Sequence, residues 1–304
     1  MKTTKWDRLA ARRRKADAAF KVIGVLTTVF AVGVLAILLG NLMIDGLSRI
    51  DWQFMSSFPS RRPAQAGILS AWVGTVLLMM TTASIAIPLG IAAGVYLEEY
   101  AKRSWFTTII EVNIANLAGV PSIIYGLMAL GLFVYGMGFG QSVIAAGLAL
   151  ACLVLPIIIV ATRESLRAVP SSIREAAYAL GATRWQLISH HLLPASAGGI
   201  ATGSIIAMSR AIGESAPLIT IGALTFIAFL PPPPVVGDFP FISFEWLKSP
   251  FTAMPIQMFN WVSRPGTDFK ANAAAAGIVL MGMTLMMNAV AIAIRHRARK
   301  KIRW

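Results

Sequence analysis

Six long apolar stretches, separated by polar segments, dominate this chain. They lie at Phe20–Ile44, Ile68–Leu97, Ile109–Tyr135, Ser142–Ala161, Gly199–Leu230 and Ala271–Ile294. A helix needs about 20 apolar residues to cross the roughly 30 Å hydrocarbon core of a bilayer. A helix also satisfies its own backbone hydrogen bonds in that environment. The pattern therefore predicts an all-α integral membrane protein with six transmembrane helices.

The polar stretch between the fourth and fifth apolar runs carries the signals of a short helix. Pro170 interrupts the preceding helix, and Ser172 to Glu175 fits the Ser-x-x-Glu capping box that opens a new one. Apolar residues then recur at helical spacing, at Ile173, Ala176, Ala177 and Leu180. Gly181 can adopt the left-handed conformation that ends a helix. We therefore predict a short amphipathic helix that ends at Gly181.

A second short helix is predicted directly after Gly181. Thr183-Arg-Trp-Gln186 is another capping box, and Pro194 is expected to close the helix. Its apolar residues are Trp185, Leu187, Ile188, Leu192 and Leu193. Two capped helices joined at a glycine suit a groove on another protein. The alternative is an amphipathic helix on lipid headgroups, although such helices carry more positive charge than Arg174 and Arg184 supply.

Composition agrees with a membrane protein. Hydrophobic residues make up 57% of the 304 residues and charged residues 13%, and the mean hydropathy is +0.70, whereas soluble domains are about one-quarter charged. The net charge of +14 would fit nucleic-acid binding. The positions of the charges favour a different explanation, so no nucleic-acid partner is expected.

Most positive charges fall on one side of a six-helix topology. Lys and Arg concentrate on the cytoplasmic side of membrane proteins, and 20 of the 27 lie in residues 1–21, 102–103, 162–198 and 295–304. We predict that both termini and the loop 170–194 are cytoplasmic and that the loops 45–67 and 231–270 face outward. The predicted divisions are a basic cytoplasmic tail (1–19), a transmembrane domain (20–294) and a second basic cytoplasmic tail (295–304).

Two charged residues, Arg210 and Glu214, lie inside the fifth apolar run. A charge at membrane depth costs at least about 2.5 kcal/mol on insertion scales, so it commonly marks a functional site. Residues four apart emerge on nearly one face of a helix and can pair. A guanidinium can also hold two oxygens of an oxyanion at once. The pair predicts an anion pathway, and the alternative is an ion pair that holds the fifth helix to its neighbours.

Two uncharged polar residues of the third run, Asn116 and Ser122, lie near Pro121. Because Pro121 opens a gap in the helix hydrogen-bond ladder, these side chains are candidates to line the same pathway. Hydrogen bonding between helices explains them equally well.

Three acidic residues are expected at the cytoplasmic ends of helices, namely Glu98, Glu99 and Glu111. The ordinary interpretation is solvated pairing with the nearby Lys102 or Arg103.

The chain has no motif for hydrolysing a nucleotide. No Gly-x-x-x-x-Gly-Lys-Ser/Thr phosphate loop occurs anywhere in the sequence, so we expect no ATP hydrolysis by this chain. The prediction is a non-catalytic transmembrane protein with no cofactor or metal of its own.

The loop 170–194 resembles the EAA loop of ABC importer permeases. The matching residues are Glu175, Ala176, Ala177, Gly181, Leu193 and Pro194, while His191 stands where the family usually has Ile or Val. In that family the loop is a coupling helix that enters a groove on the ATPase subunit. The resemblance implies that these residues couple the chain to a partner ATPase, which uses ATP and Mg²⁺.

Other motifs narrow the resemblance to phosphate permeases of PstA type. They are Gly74-Thr75, Pro88-Leu89-Gly90, Tyr96 to Tyr100, Asn116 to Gly126, and Arg210 to Leu218. The resemblance implies a subunit that imports inorganic phosphate across a bacterial inner membrane, with Arg210 and Glu214 taking part in transport. It also implies a PstC-type permease, two PstB-type ATPases and a PstS-type phosphate-binding protein as partners.

Two other functions remain open at this stage. The cargo could be another oxyanion, sulfate or molybdate, because Arg210 alone does not distinguish one oxyanion from another. The chain could instead be a passive anion channel or a membrane scaffold, although neither needs a double-capped coupling loop.

Overall fold

The computed structural model describes residues 5–102, 104–235, 243–264 and 267–300, and the regular elements in these ranges are helical. The α-helices are α1 (Lys5–Gly46), α2 (Trp52–Ser56), α3 (Leu69–Val95), α4 (Trp105–Leu117), α5 (Ser122–Ala129), α6 (Val143–Arg167), α7 (Ser171–Ala179), α8 (Arg184–Leu187), α9 (Leu193–Ala211), α10 (Ala216–Ile221), α11 (Met254–Val262) and α12 (Lys270–Lys300). The segments Tyr96–Tyr100, Leu130–Gly136 and Ile188–Leu192 extend α3, α5 and α8 as π-helical turns.

Five helical segments of the described chain are long and apolar enough to cross a membrane. They are Arg13–Arg49, Leu69–Tyr100, Val143–Arg167, Arg184–Ala211 and Lys270–Arg297. A sixth candidate is the pair α4 and α5 with its π-helical extension, taken together as one bent span. The predicted all-α membrane fold with six spans is confirmed when this pair is counted as one.

The third predicted span, 109–135, is not one continuous helix. Its two halves, Trp105–Leu117 and Ser122–Gly136, meet at an angle of 109°. Pro121 has no backbone N–H to donate and restricts the residue before it to extended conformations, so α5 begins anew at Ser122. Tyr125 Oη donates a 2.8 Å hydrogen bond to the Leu117 carbonyl, which holds the bend closed.

The fifth predicted span, 199–230, is also wrong as a single helix. The helix ends at Ala211, and a separate short helix, α10, runs from Ala216 to Ile221. Pro217 lies in the first turn of α10, where a proline is favoured. Gly222 then ends α10 with φ of 98°, in the left-handed region that favours glycine. Apolar composition alone does not predict where these helices are interrupted.

The remaining bounds shift because helices outlast their apolar segments. α1 begins at Lys5, within the predicted tail 1–19, and α12 runs to Lys300, within the predicted tail 295–304. α6 continues six residues past the predicted end at 161. Arg, Lys and Ala favour helix, so a helix need not end where the lipid does. Residues 1–4, 301–304 and parts of the predicted loop 231–270 lie outside the described residues.

Helix α6 forms the centre of the bundle, and α3 packs closely against it through glycine. A Cβ atom on Gly90 or Gly94 would lie 2.6 Å from a side-chain carbon of Ile158 or Thr162. Small residues at such crossings let helix backbones approach. By contrast, α1 exposes nearly all of its apolar length and contacts α12 at its C-terminal end, where Gly46 lies against the backbone of α12.

At the end of the bundle opposite α7 and α8, Arg49 organises the segment between α1 and α3. Its Nε donates to Asn272 Oδ1 at 2.9 Å, and its Nη2 donates to Gln53 Oε1 at 2.9 Å and to the Ala66 carbonyl at 2.9 Å. The guanidinium also lies 5.1 Å from the centre of the Phe54 ring. One largely buried cation therefore satisfies acceptors from three separate elements.

An Arg49→Met substitution is expected to lower thermal stability. It leaves several acceptors without a donor, and a fully buried one costs about 1 to 3 kcal/mol. Because these acceptors are only partly buried, we take a total of about 2.5 kcal/mol. At about 2 to 4 °C per kcal/mol the Tm falls by roughly 5 to 10 °C. Thermal unfolding of the detergent-purified protein measures this. The matched control is Arg61→Met, at an exposed arginine with no side-chain hydrogen bond among the described residues. Equal Tm values for the two variants would contradict the role given to Arg49.

Candidate functional site

The structure forms the predicted ion pair between Arg210 and Glu214, but not on one helix face. Arg210 lies in the last turn of α9, whereas Glu214 lies in the turn between α9 and α10. The Glu214 amide donates to the Ala211 carbonyl at 3.2 Å, which carries the chain back towards Arg210. Arg210 Nε then contacts Glu214 Oε1 at 3.3 Å. The pairing is confirmed, and the reason given for it is wrong.

The ion pair lies at the depth of the middle of α6. The residues flanking Arg210 pack in one buried cluster with Ala151 and Val154, near the centre of that helix; they are Ala207, Met208, Ala211 and Ile212. Ser209 Oγ donates a 2.6 Å hydrogen bond to Asn288 Oδ1 and ties this part of α9 to α12. The end of α9 that carries Arg210 is therefore held against both α6 and α12.

The Arg210 side chain itself points away from this core. It is 42% exposed in the isolated chain, and Glu214 is 19% exposed. Within the described residues, the contact with Glu214 is the one hydrogen bond that the Arg210 guanidinium makes. Nη1 and Nη2 are thus available to another acceptor, on a face that the described residues leave open.

The bent pair α4 and α5 joins this site through α10. A Cβ atom on Gly126 would lie 2.7 Å from Pro217 Cα and would also overlap the Thr220 side chain, so α5 rests directly on the backbone of α10. Tyr125, one residue earlier, packs in the cluster that contains Met208 and Ile212. Two motifs that are far apart in sequence, Asn116 to Gly126 and Arg210 to Leu218, therefore meet in the fold.

The other two predicted pathway residues lie on opposite sides of the bend. Asn116 is exposed in the last turn of α4, a helix with no buried side chain, and Ser122 is half-buried as the first residue of α5. Neither side chain forms a hydrogen bond with Arg210 or Glu214 in the described part of the chain. The structure brings Tyr125, rather than Asn116, among the residues that flank Arg210.

The two-helix unit predicted around Gly181 is present as α7 and α8. Gly181 has φ of 79°, and the Ala182 amide donates to the Ala177 carbonyl at 3.0 Å, which is the hydrogen-bond pattern of a Schellman motif. The Thr183 capping box is confirmed, with Gln186 N to Thr183 Oγ1 at 3.3 Å and Thr183 N to Gln186 Oε1 at 2.8 Å.

Two details of this prediction are wrong. The Ser172 to Glu175 capping box does not form, because α7 already begins at Ser171 after Pro170 and has no side-chain cap. Pro194 does not close the second helix. It lies in the first turn of α9, where a proline is tolerated, so the helix continues from Arg184 through the π-helical turn to Ala211.

The faces of α7 and α8 divide the EAA residues into buried and exposed sets. Ala177 is buried with Leu187, Ile188 and Leu192 against the ends of α3 and α6, and Leu193 and Pro194 are half-buried. Glu175, Ala176 and Gly181 are exposed. Three large apolar side chains are also exposed, namely Tyr178 (48%), Leu180 (89%) and Trp185 (63%). The predicted apolar stripe is therefore shared between the core and an open surface.

The acidic residues at this end are paired differently from the prediction. Glu98 contacts Arg163 and Arg167 of α6, at 3.4 and 2.9 Å, rather than Lys102. Glu99 contacts Arg174 of α7 at 2.9 Å, and Glu111 contacts Arg163 at 2.7 Å. Arg103 lies outside the described residues. One signal of this arrangement is visible in the sequence, namely the three arginines between positions 163 and 174, but it does not indicate which carboxylates they contact.

Comparison with known proteins agrees with this architecture. Residues 86–303 match the family described as binding-protein-dependent transport system inner membrane component. The chain is 31% identical over 295 residues to a phosphate transport system permease protein PstA of Xylella fastidiosa, covering 97% of this chain and 98% of that protein. It is 32% identical over 282 residues to the PstA protein of Yersinia pestis, covering 91% and 88% of the two chains.

A solved structure shares the fold at low sequence identity. The crystal structure of a bacterial alginate ABC transporter in complex with its alginate-bound periplasmic protein contains a chain that superposes with a TM-score of 0.65 at 14% identity. The match covers 95% of this chain and 98% of that one. With the family match over residues 86–303 and the multi-pass apolar helices, these similarities show that the chain belongs to the inner membrane components of binding-protein-dependent transport systems, the non-catalytic permeases of ABC importers.

Proposed function

We propose that this chain supplies one half of the translocation pathway of an ATP-driven importer whose cargo is inorganic phosphate. The observation that carries the proposal is the Arg210–Glu214 pair, which lies at mid-depth on a face that the chain leaves open. Charged groups are unfavourable against lipid and face water-filled cavities or other protein in membranes. The names of the PstA relatives support phosphate as the cargo.

The chemistry of the pair suits a transient anion site. A phosphate accepts two parallel hydrogen bonds from a guanidinium, and the Nη1 and Nη2 atoms of Arg210 are available for them. Glu214 offsets the positive charge while the site is empty, and the 3.3 Å contact is long for a charge-assisted bond. An arriving anion therefore competes with a weak internal partner, and Glu214 favours its release afterwards. Asn116 and Ser122 are proposed as uncharged ligands of the same pathway.

The open surface of α7 and α8 is the proposed attachment point for an ATPase. Tyr178, Leu180 and Trp185 are exposed on two short helices joined at Gly181, the second of which has a capping box, as expected for a helix that lies in a groove of a partner. This assignment makes that end cytoplasmic, together with both termini. The partners proposed are a PstC-type permease, two PstB-type ATPases that use ATP and Mg²⁺, and a PstS-type phosphate-binding protein at the opposite end.

The substrate is tested by ATP hydrolysis of the complete complex in liposomes. Phosphate-loaded binding protein is expected to stimulate hydrolysis and ATP-dependent uptake of labelled phosphate, and a large excess of sulfate or molybdate is expected to leave both unchanged. Stimulation by sulfate without stimulation by phosphate would overturn the cargo. Anion flux that persists after omission of the ATPase subunits would instead indicate a passive channel.

A further inference from the structure

The π-helical end of α3 contacts three other elements through three consecutive residues. Glu98 reaches α6, Glu99 reaches α7, and Tyr100 lies beneath Arg184 of α8, with 5.6 Å between the guanidinium carbon and the ring centre. We call Glu98 to Tyr100 the EEY segment. A π-helical turn often marks a functional site within a helix, and this one contacts both members of the α7–α8 pair.

The contact with α7 is the most directional of the three. Arg174 Nη2 donates to Glu99 Oε1 at 2.9 Å and to the Leu166 carbonyl at 3.0 Å, while Nη1 donates to the Val169 carbonyl at 2.9 Å. Leu166 lies in the last turn of α6 and Val169 just beyond it, where carbonyls lack helical partners. Glu99 is 10% exposed and Arg174 24% exposed. The Arg174 guanidinium therefore locks α7 to the ends of α3 and α6 at once.

Glu98 of the EEY segment is connected to α4 through Arg163. Arg167 Nε lies 2.9 Å from both carboxylate oxygens of Glu98, and Arg163 Nε lies 3.4 Å from Glu98 Oε2. Arg163 Nη2 in turn lies 2.7 Å from Glu111 Oε1 of α4, a close ionic contact rather than a well-aligned hydrogen bond. A continuous chain of charges thus runs from α7 through α3 and α6 to α4.

The helix at the far end of this chain of charges has room to move. α4 has no buried side chain, and residues of α4 and α6 line a polar cavity of about 530 Å³, with Glu98, Glu111, Arg163 and Arg167 in its wall. Beyond α4 the bend leads into α5, which rests on α10 beside the Arg210 site. The apolar contacts under α7 and α8 are non-directional and tolerate sliding, whereas the ion pairs fix direction.

From this arrangement we propose that the Glu99–Arg174 pair is a positioning pair that transmits displacement of the α7–α8 unit to α3 and, through Glu98, Arg163 and Glu111, to α4. The inference rests on the proposed function, because it assumes that an ATPase moves α7 and α8. It goes further in naming the internal contacts through which that movement reaches the bent span.

The test compares Glu99→Gln with Glu164→Gln in the complete reconstituted complex. The control removes the same charge at the same end of the protein, but among the described residues Glu164 pairs only within α6, with Arg167 at 3.5 Å, and it is 66% exposed. Glu99→Gln is expected to keep ATP hydrolysis while the number of phosphates imported per ATP falls about tenfold, the factor set by one lost charge-assisted hydrogen bond. Glu164→Gln is expected to keep at least half of the wild-type ratio.

The outcomes separate the alternatives. An unchanged import-to-hydrolysis ratio in Glu99→Gln, whether both rates stay normal or fall together, would overturn the transmission role and leave a structural pair. A wild-type complex that imports no phosphate would instead defeat the proposed function. A second measurement does not depend on the cargo: in a Cys152→Ala background, spin labels at Ser172→Cys on α7 and Thr108→Cys on α4 are expected to change their separation when ATP binds. In Glu99→Gln this change should be lost, and its persistence would likewise overturn the inference.

Discussion

Substitution of Arg210 by Gln is expected to leave the complex assembled and to slow phosphate import about 100-fold or more. The estimate follows from two lost charge-assisted hydrogen bonds to the anion, each worth about 1.5 to 3 kcal/mol, at about 1.4 kcal/mol per factor of ten. Because the side chain is 42% exposed and makes one hydrogen bond among the described residues, its loss removes little packing. Initial uptake rates of labelled phosphate, with co-purification of all subunits, measure the effect.

A conservative variant and a control variant are needed to interpret the Arg210→Gln result. Arg210→Lys keeps the charge but offers a point charge instead of a fork of donors, so import should fall less than in Arg210→Gln. Arg61→Gln removes a positive charge from an exposed site distant in the sequence from the pair, and import should stay near the wild-type rate. Normal import by an assembled Arg210→Gln complex would disprove the pathway role and favour an ion pair that is only structural.

The second large effect is expected at Leu180, whose replacement by Asp should detach the ATPase. Leu180 is 89% exposed immediately before Gly181, and burying a leucine in a partner groove contributes about 1.5 to 3 kcal/mol. Asp loses that gain and must also desolvate a charge, so affinity should fall at least about 30-fold. The amount of ATPase that co-purifies from detergent and the phosphate-stimulated hydrolysis rate both report this loss.

A negative control and a second variant of the same surface accompany this prediction. Phe244→Asp makes a similar change at an exposed side chain (68%) in the segment between α10 and α11, and ATPase recovery should not change. Glu175→Lys reverses an exposed charge on α7 and should weaken association without unfolding the chain. If both Leu180→Asp and Glu175→Lys retain the ATPase at wild-type levels, the unit formed by α7 and α8 rests on lipid headgroups instead.

The helices that the sequence predicts correctly depend on interactions between residues close together in the chain. Apolar runs of 20 or more residues become helices because nothing else satisfies the backbone in lipid, and the Thr183 capping box forms because its two bonds join residues three apart. The same local logic places a gap in the hydrogen-bond ladder at Pro121, but not the 109° bend found there. It does not register the end of α9 at Ala211, because Gly213 and Pro217 interrupt a stretch whose hydropathy stays high.

The Arg210–Glu214 pair shows how a correct contact can rest on an incorrect conformation. Spacing of four residues brings side chains together in a helix, but it also does so in the turn that follows Ala211, where the Gly213 amide donates to the Arg210 carbonyl at 3.3 Å. Proximity of side chains four residues apart is common to both conformations. The pairing was therefore predictable, whereas its exposure, set by where α9 ends, was not.

The ion pairs of the EEY segment could not be predicted from neighbouring residues, because their partners are distant in the sequence. Glu98 and Arg163 are 65 residues apart, and Glu99 and Arg174 are 75 residues apart. Their proximity depends on α3 and α6 crossing closely at Gly90 and Gly94, a packing that the hydropathy pattern does not encode. Lys102 is the nearest candidate partner in the sequence, but the fold places Glu98 against Arg163 and Arg167, and Glu99 against Arg174.

The open face around Arg210 also affects how stable a newly synthesised chain is in the membrane before it assembles. Without the second permease that we propose, the bilayer surrounds a guanidinium and a carboxylate at mid-depth, at a cost of a few kcal/mol for each charge. We therefore expect a copy of the chain without this partner to be inserted less stably and to be degraded faster. A cell that overproduces this chain alone is expected to clear the excess quickly, so its abundance follows that of its scarcer partner.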